Sequence, residues 1–274
     1  MLSKLFKHEF RATARIQLPL MLATIAVTLV LTILVLLNKA IPEGTILYTL
    51  TNILTGFMSA FYVLGLVAYI LAAHLLGVQR YYKNLFTDEG YLTLTLPVKN
   101  GYHQTVKLTV AVFWSLVSIL ISALCFAAFL LIGIETAVSP AELIHRITGL
   151  QLSGEATGLA VVLAFSVLIM EIFFFTLAYF SIATGQTFSK KHKVAAAFVI
   201  YIIVQSVLQI AALILMGTGA VILDDVLTQL FANIHSPMAS FSAFLLVWDA
   251  LSLIISGAFF GVTNYLTHHR LNLE

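Results

Sequence analysis

Glu171 sits in the run Ile169-Met170-Glu171-Ile172-Phe173, a carboxyl with only apolar neighbours on either side. A charge centred in a bilayer costs roughly 2.5–3.5 kcal/mol on insertion scales, so this one should face protein or water and not lipid. Two chemistries suit it: lining a path for a cationic or amphipathic substrate, or bonding as a structural carboxyl to a serine, threonine or glutamine on a neighbouring helix. Gln205 and Gln209 are i,i+4 partners and form a polar stripe, suited to gluing helices together or to meeting a substrate. Asp249 lies nearer the end of its apolar run, where a carboxyl reaches the interface at lower cost. These four are the candidate substrate-pathway residues. The stretch richest in potential contacts lies elsewhere, at Arg80-Tyr81-Tyr82-Lys83-Asn84-Leu85-Phe86-Thr87-Asp88-Glu89-Gly90-Tyr91. Tyr81/Leu85 and Tyr82/Phe86 pair at i,i+4, with Lys83, Asn84 and Thr87 facing elsewhere. Asp88 and Glu89 close the run and Gly90 is a natural helix stop. Such a segment is a surface for a soluble partner, since aromatics anchor and charges fix register. The plainer reading, an interfacial aromatic belt of Tyr81, Tyr82 and Tyr91, explains neither the Asp88-Glu89-Gly90 stop nor the length of the segment.

The elements that must position these residues are membrane spans. The chain is 61% hydrophobic and only 9% charged, against about 25% charged for a soluble protein, so it could not cover its own surface in water. Its apolar residues come in blocks, and a span needs about 20 of them. Six blocks qualify: about 18–37, 53–78, 106–134, 158–184, 194–223 and 241–266. The expected fold is therefore an all-α integral membrane protein, one transmembrane domain over residues 1–274, with no room for a folded soluble domain. Twelve of its fourteen lysines and arginines fall in the N-terminal segment, the even-numbered connections or the tail; only Lys39 and Arg146 fall in the odd ones. Cationic flanks stay inside, which places both termini in the cytoplasm.

Smaller elements are legible too. Lys4, Lys7, His8, Arg11 and Arg15 share one side of a helix, with Leu2, Leu5, Phe6 and Phe10 opposite. This pattern predicts an interfacial helix over 1–15 with its apolar side in lipid. Ser139-Pro140-Ala141-Glu142 is a capping box ahead of a short helix that Gly149 stops. A further outer helix is expected over Leu223–Ile234, with Asp224 and Asp225 in its first turn. Tyr91 to Leu96 alternates with period two before Pro97 and reads as an extended or bent passage. Gly257-x-x-x-Gly261 permits close helix approach. Cys125 is the only cysteine, a small buried hydrophobe that cannot form a disulfide within the chain. His74 stands alone and His268-His269 lies near the tail, so no metal site is expected.

From Arg80 to Pro97 the chain resembles the corresponding loop of Gram-positive ABC-2-type transporter permeases, in the order of its residues, its charges and its closing Gly90 and Pro97. The basic, aromatic start Leu2-Ser3-Lys4-Leu5-Phe6-Lys7-His8-Glu9-Phe10 is similar as well. The resemblance implies six spans and an N-terminal interfacial helix. It makes Tyr81–Glu89 a cytoplasmic coupling helix between spans two and three, received in a groove of a separate ATP-hydrolysing subunit. Gly185–Lys193 would make a second contact, and Leu223–Ile234 would match external elements before the last span. ATP and Mg would be bound by the partner ATPase, with no cofactor in this chain. A second permease, identical or related, would complete a dimer in the plasma membrane. The connection between spans three and four is longer than in the simplest such permeases. The implied function is export of an amphipathic substrate (a peptide, lipid or drug-like molecule) by a subunit that is not itself an enzyme.

The residues agree with an external motor, because the chain has no Gly-x-x-x-x-Gly-Lys-Ser/Thr phosphate loop. Two other classes remain as alternatives. A proton-coupled secondary transporter would use Glu171. An intramembrane enzyme would need paired carboxylates, a His-Glu-x-x-His motif or a Ser/His constellation within the spans, and none is present.

Overall fold

The computed structural model describes residues 2–87, 90, 100–134, 153–188, 191–222 and 237–269. Six helices make up almost all of them: α1 (Leu2–Lys39), α2 (Ile46–Phe86), α3 (Asn100–Ile134), α4 (Gly154–Phe188), α5 (Lys193–Ile222) and α6 (Pro237–His269). There is no strand among the described residues. Each helix carries a stretch long and apolar enough to cross a membrane. Helices are the form that such sequences must take in lipid, where every backbone N–H and C=O needs a partner within its own segment. The outward side chains fit the same solvent: Phe61 and Ile254 are each 70% exposed and Ile46 is 81% exposed.

The helices outrun the spans expected from hydropathy. α2 has 41 residues, about 62 Å at 1.5 Å per residue, twice the ~30 Å hydrocarbon thickness. α1 runs unbroken through Pro19, so residues 2–15 are its first turns and not an element of their own. The cations Lys4, Lys7, Arg11 and Arg15 are exposed, as the amphipathic pattern requires. The opposite side is used differently from the lipid-facing role expected. Phe10 packs on Phe113 and Trp114 of α3 at 5.2 and 5.3 Å between ring centroids. Glu9, Thr13 and Gln17, a polar row at steps of four, are buried.

Local signals set the helix starts. Thr45 caps α2, its hydroxyl accepting from Tyr48 N at 3.1 Å, after a turn in which Gly44 takes a φ of 87° that only glycine adopts freely. Ser153 caps α4 through Ala156 N at 3.3 Å, with Glu155 in the first turn where it suits the helix dipole.

The packing resolves into two compact units. The first comprises residues 1–77 and 109–151, thus α1, most of α2 and most of α3. Its core is Leu31, Tyr62, Leu66 and Cys125, with Ile25, Ile121 and Phe129 against them. Thr28 Oγ1 and Tyr62 OH, 2.9 Å apart, satisfy each other there. The second comprises residues 78–108 and 152–274, in which α4 packs along both α5 and α6. The end of α2 and the start of α3 therefore belong to the second unit, while the rest of both helices belongs to the first.

Several expected features lie outside the described residues: the helices over Ser139–Gly149 and Leu223–Ile234, Asp88 and Glu89, the Tyr91–Pro97 passage, and Arg270.

Candidate coupling surface and membrane-embedded polar residues

Residues 81–86 are helical, as the i,i+4 pairs suggested, but as the continuation of α2. Tyr82 and Phe86 stack with centroids 6.5 Å apart. Tyr81 is fully buried and lies flat on Tyr179 of α4, with centroids 3.7 Å apart and planes 10° from parallel. Leu85 and Phe86 are buried as well. The aromatics of this segment thus divide: Tyr81 and Phe86 are spent within the second unit, while Lys83 is exposed and Tyr82, Asn84 and Thr87 are partly exposed. Those four are the described positions that a partner could reach. The helix ends where Thr87 Oγ1 bonds back to the Lys83 carbonyl and Gly90 N donates to Thr87 O at 2.7 Å. A Cβ on Gly90 would lie 2.5 Å from the Leu85 carbonyl oxygen, so this turn requires glycine.

The start of α3 is fastened in the same unit. His103, Gln104 and Lys107 are all buried, and Gln104 Nε2 donates to the Phe260 carbonyl of α6 at 3.3 Å. Lys107, one of the cations that mark the inner side by the charge rule, lies inside α3 and not in the connection before it. Of the second contact segment, Gly185 is buried, whereas Lys191 and His192 are exposed. Ser189 and Lys190 lie outside the described residues.

Glu171 is 7% exposed on α4, in keeping with the cost of facing lipid. Asp249 is 3% exposed and accepts from Ser166 Oγ at 2.6 Å, joining α6 to α4. It is a buried, bonded group and not one that reaches an interface. Gln205 and Gln209 both line a cavity of about 350 Å³ in the second unit, with Phe173, Phe174, Tyr201 and Trp248 around them. Gln205 is half-buried with its Oε1 oxygen unbonded, and Gln209 is exposed. Neither Glu171 nor Asp249 lines that cavity. The structure brings together the two glutamines and leaves the two carboxyls apart from them. The cavity offers apolar walls and two neutral amides, which suits an uncharged amphipath better than a cation.

Ser166 and Tyr179 carry no sequence signal, because a serine and a tyrosine within apolar runs bear no local mark of what they touch. Ser166→Ala is expected to lower stability by about 1–2 kcal/mol, since it removes a bond to a buried carboxyl within the membrane. Asp249→Asn, which keeps an acceptor, should cost less. Thermal unfolding in detergent, followed by helical circular dichroism, checks that order.

Against known proteins the chain finds no match: no family model, no curated protein and no solved structure resembles it significantly.

Proposed function

We propose that this chain is the membrane-spanning permease subunit of an ATP-driven exporter of the ABC-2 type. A separate ATPase subunit drives it, a second permease completes it, and both termini face the cytoplasm of a cell whose plasma membrane it spans. The cargo is amphipathic. The observation that carries this reading is the two-sided end of α2, where Tyr82 and Lys83 remain accessible while Tyr81 is locked onto Tyr179.

A surface for a motor must do two things. It must be gripped from outside, and it must pass displacement inward without yielding. Tyr82 and Lys83 suit the first requirement, an aromatic anchor beside a charge that sets register. The second is met by the stacked tyrosines, which tie α2 to α4, and by the Gln104 bond, which ties α3 to α6. Close-packed contacts transmit displacement because they compress little. A push on this end would then move α4, whose Phe173 and Phe174 wall the glutamine-lined cavity.

The test is co-purification. Tyr82→Ala combined with Lys83→Glu should lower recovery of the ATPase from native membranes by at least roughly thirtyfold, the equivalent of a lost 2 kcal/mol hot spot. The melting temperature should change little, because Tyr82 is only partly buried, against Phe86, and Lys83 is exposed. Undiminished recovery would remove this segment from the coupling role. The burial of Glu171 favours one second reading, a proton-coupled transporter; activity abolished by Glu171→Gln and independent of any ATPase would establish it.

A further inference from the structure

Two cavities of the first unit follow one helical hairpin. The larger, about 870 Å³, is walled by apolar side chains of α1 and α2, among them Leu20, Val27, Leu31, Phe61 and Leu66. The smaller, about 410 Å³, is polar and lies on the next turns of the same two helices, lined by Asn38, Lys39, Glu43, Tyr48, Asn52 and Thr55 among others. On α1 the lining passes from Leu20, Thr24, Val27 and Leu31 to Val35 and Asn38. Those steps of three and four residues keep to one helix face. An apolar trough thus continues into a polar recess that holds one cation and one anion.

Dimensions and chemistry define the occupant. The trough runs from Leu31 to Leu20, about 12 to 28 Å from Lys39 at 1.5 Å per residue. Acyl chains anchored at the recess extend into its nearer half. Of the three polar side chains on its walls, Thr24 and Tyr62 are bonded internally and Tyr69 is the third, so little in the trough asks for a polar ligand. The recess does. Lys39 suits a phosphate, and Glu43 suits an ammonium. Asn38 is held by bonds from its Nδ2 to Asn52 Oδ1 and Thr55 Oγ1, each 3.4 Å, and by acceptance from Thr51 Oγ1. The Tyr48 hydroxyl and the Asn52 amide add neutral partners. A carboxylate beside carbonyl and hydroxyl oxygens accepts N–H bonds that a primary ammonium donates and a trimethylammonium cannot.

We propose that the α1–α2 hairpin binds one aminophospholipid molecule, its acyl chains along the trough, its phosphate at Lys39 and its primary ammonium at Glu43. This site is independent of the exporter reading and would stand if that reading fell. Gly65 provides a steric handle on it. It lines the trough, and a Cβ built there meets nothing within 4 Å, so a larger side chain enters the trough without disturbing the helix.

Detergent-purified protein is titrated with dioleoyl phosphatidylethanolamine, phosphatidylglycerol or phosphatidylcholine, and bound lipid is counted by native mass spectrometry. Phosphatidylethanolamine should bind roughly tenfold more tightly than the other two, as one charge-assisted hydrogen bond would give. Glu43→Gln should erase its advantage over phosphatidylglycerol. Lys39→Gln should weaken both of these lipids together. Both positions are exposed, so the fold should tolerate the changes. Gly65→Phe should weaken all three lipids without lowering the melting temperature. Equal affinity for the three lipids, an ethanolamine preference that survives Glu43→Gln, or full binding by a well-folded Gly65→Phe would overturn the proposal.

Discussion

Tyr81→Ala should lower stability by about 3–5 kcal/mol, the range for deleting a large buried aromatic, while Tyr81→Phe should leave stability unchanged or raise it. The contrast follows from how Tyr81 is used. Its ring is fully buried, stacked on Tyr179 and 5.7 Å from the Phe86 centroid, so alanine would open a cavity and lose both aromatic contacts. Its hydroxyl has no bonding partner despite burial. A buried, unsatisfied hydroxyl costs about 1–3 kcal/mol, and phenylalanine removes that penalty while keeping the ring. Thermal unfolding of the three proteins in detergent, followed by helical circular dichroism, orders them. A Tyr81→Phe protein as unstable as Tyr81→Ala would mean that the hydroxyl matters and the stack does not. Under the proposed function the pair also separates two failures. Tyr82→Ala loses the grip on the motor, whereas Tyr81→Ala retains the gripped face and loses its connection to α4.

The six helices were legible because the cost of exposing backbone in lipid leaves one local solution, and hydropathy reports where it applies. Their lengths were not. A hydropathy block ends at the first charges, near Arg80 on α2, but the helix goes on to Phe86, where its aromatics bury themselves against α4. The burial of Glu171 followed from its cost alone, without knowledge of any neighbour. That of Asp249 depends on Ser166, 83 residues earlier in the chain, and nothing in either local sequence announces the pairing. Tyr179 shows the same limit within a run rich in phenylalanine, where each ring reads equally well as lipid-facing. The amphipathic pattern over 1–15 marks a cationic side, and those cations are exposed. It could not reveal that Phe10 would meet Trp114, since amphipathicity tells apolar from polar and does not tell lipid from protein.

Glycines make the same point with the largest steric consequence. The motif Gly257-x-x-x-Gly261 suggests a close helix crossing, yet a Cβ on either residue meets nothing within 4 Å. The crossing that does need glycine is at Gly185, which no motif marks. A Cβ there would stand 2.6 Å from Ala197 N and 2.7 Å from its Cα, both backbone atoms in the first turns of α5 that no rotamer change can move aside. Gly185→Val should therefore force the end of α4 from the start of α5. Its loss should be about 3 kcal/mol or more, at or above the upper end of the usual 1–3 kcal/mol for overpacking. Gly185→Ala should also destabilise, by less, because the gain of up to about 1 kcal/mol in helix propensity offsets part of the clash. Gly257→Ala and Gly261→Ala collect that propensity gain with no clash and should unfold at or above the wild-type temperature. Melting the four variants side by side in detergent decides the matter. Destabilisation at Gly257 and Gly261 with tolerance at Gly185 would place the tight crossing on α6 and against a surface other than α5, whereas the reverse order ties the packing of the second unit to the contact between Gly185 and Ala197.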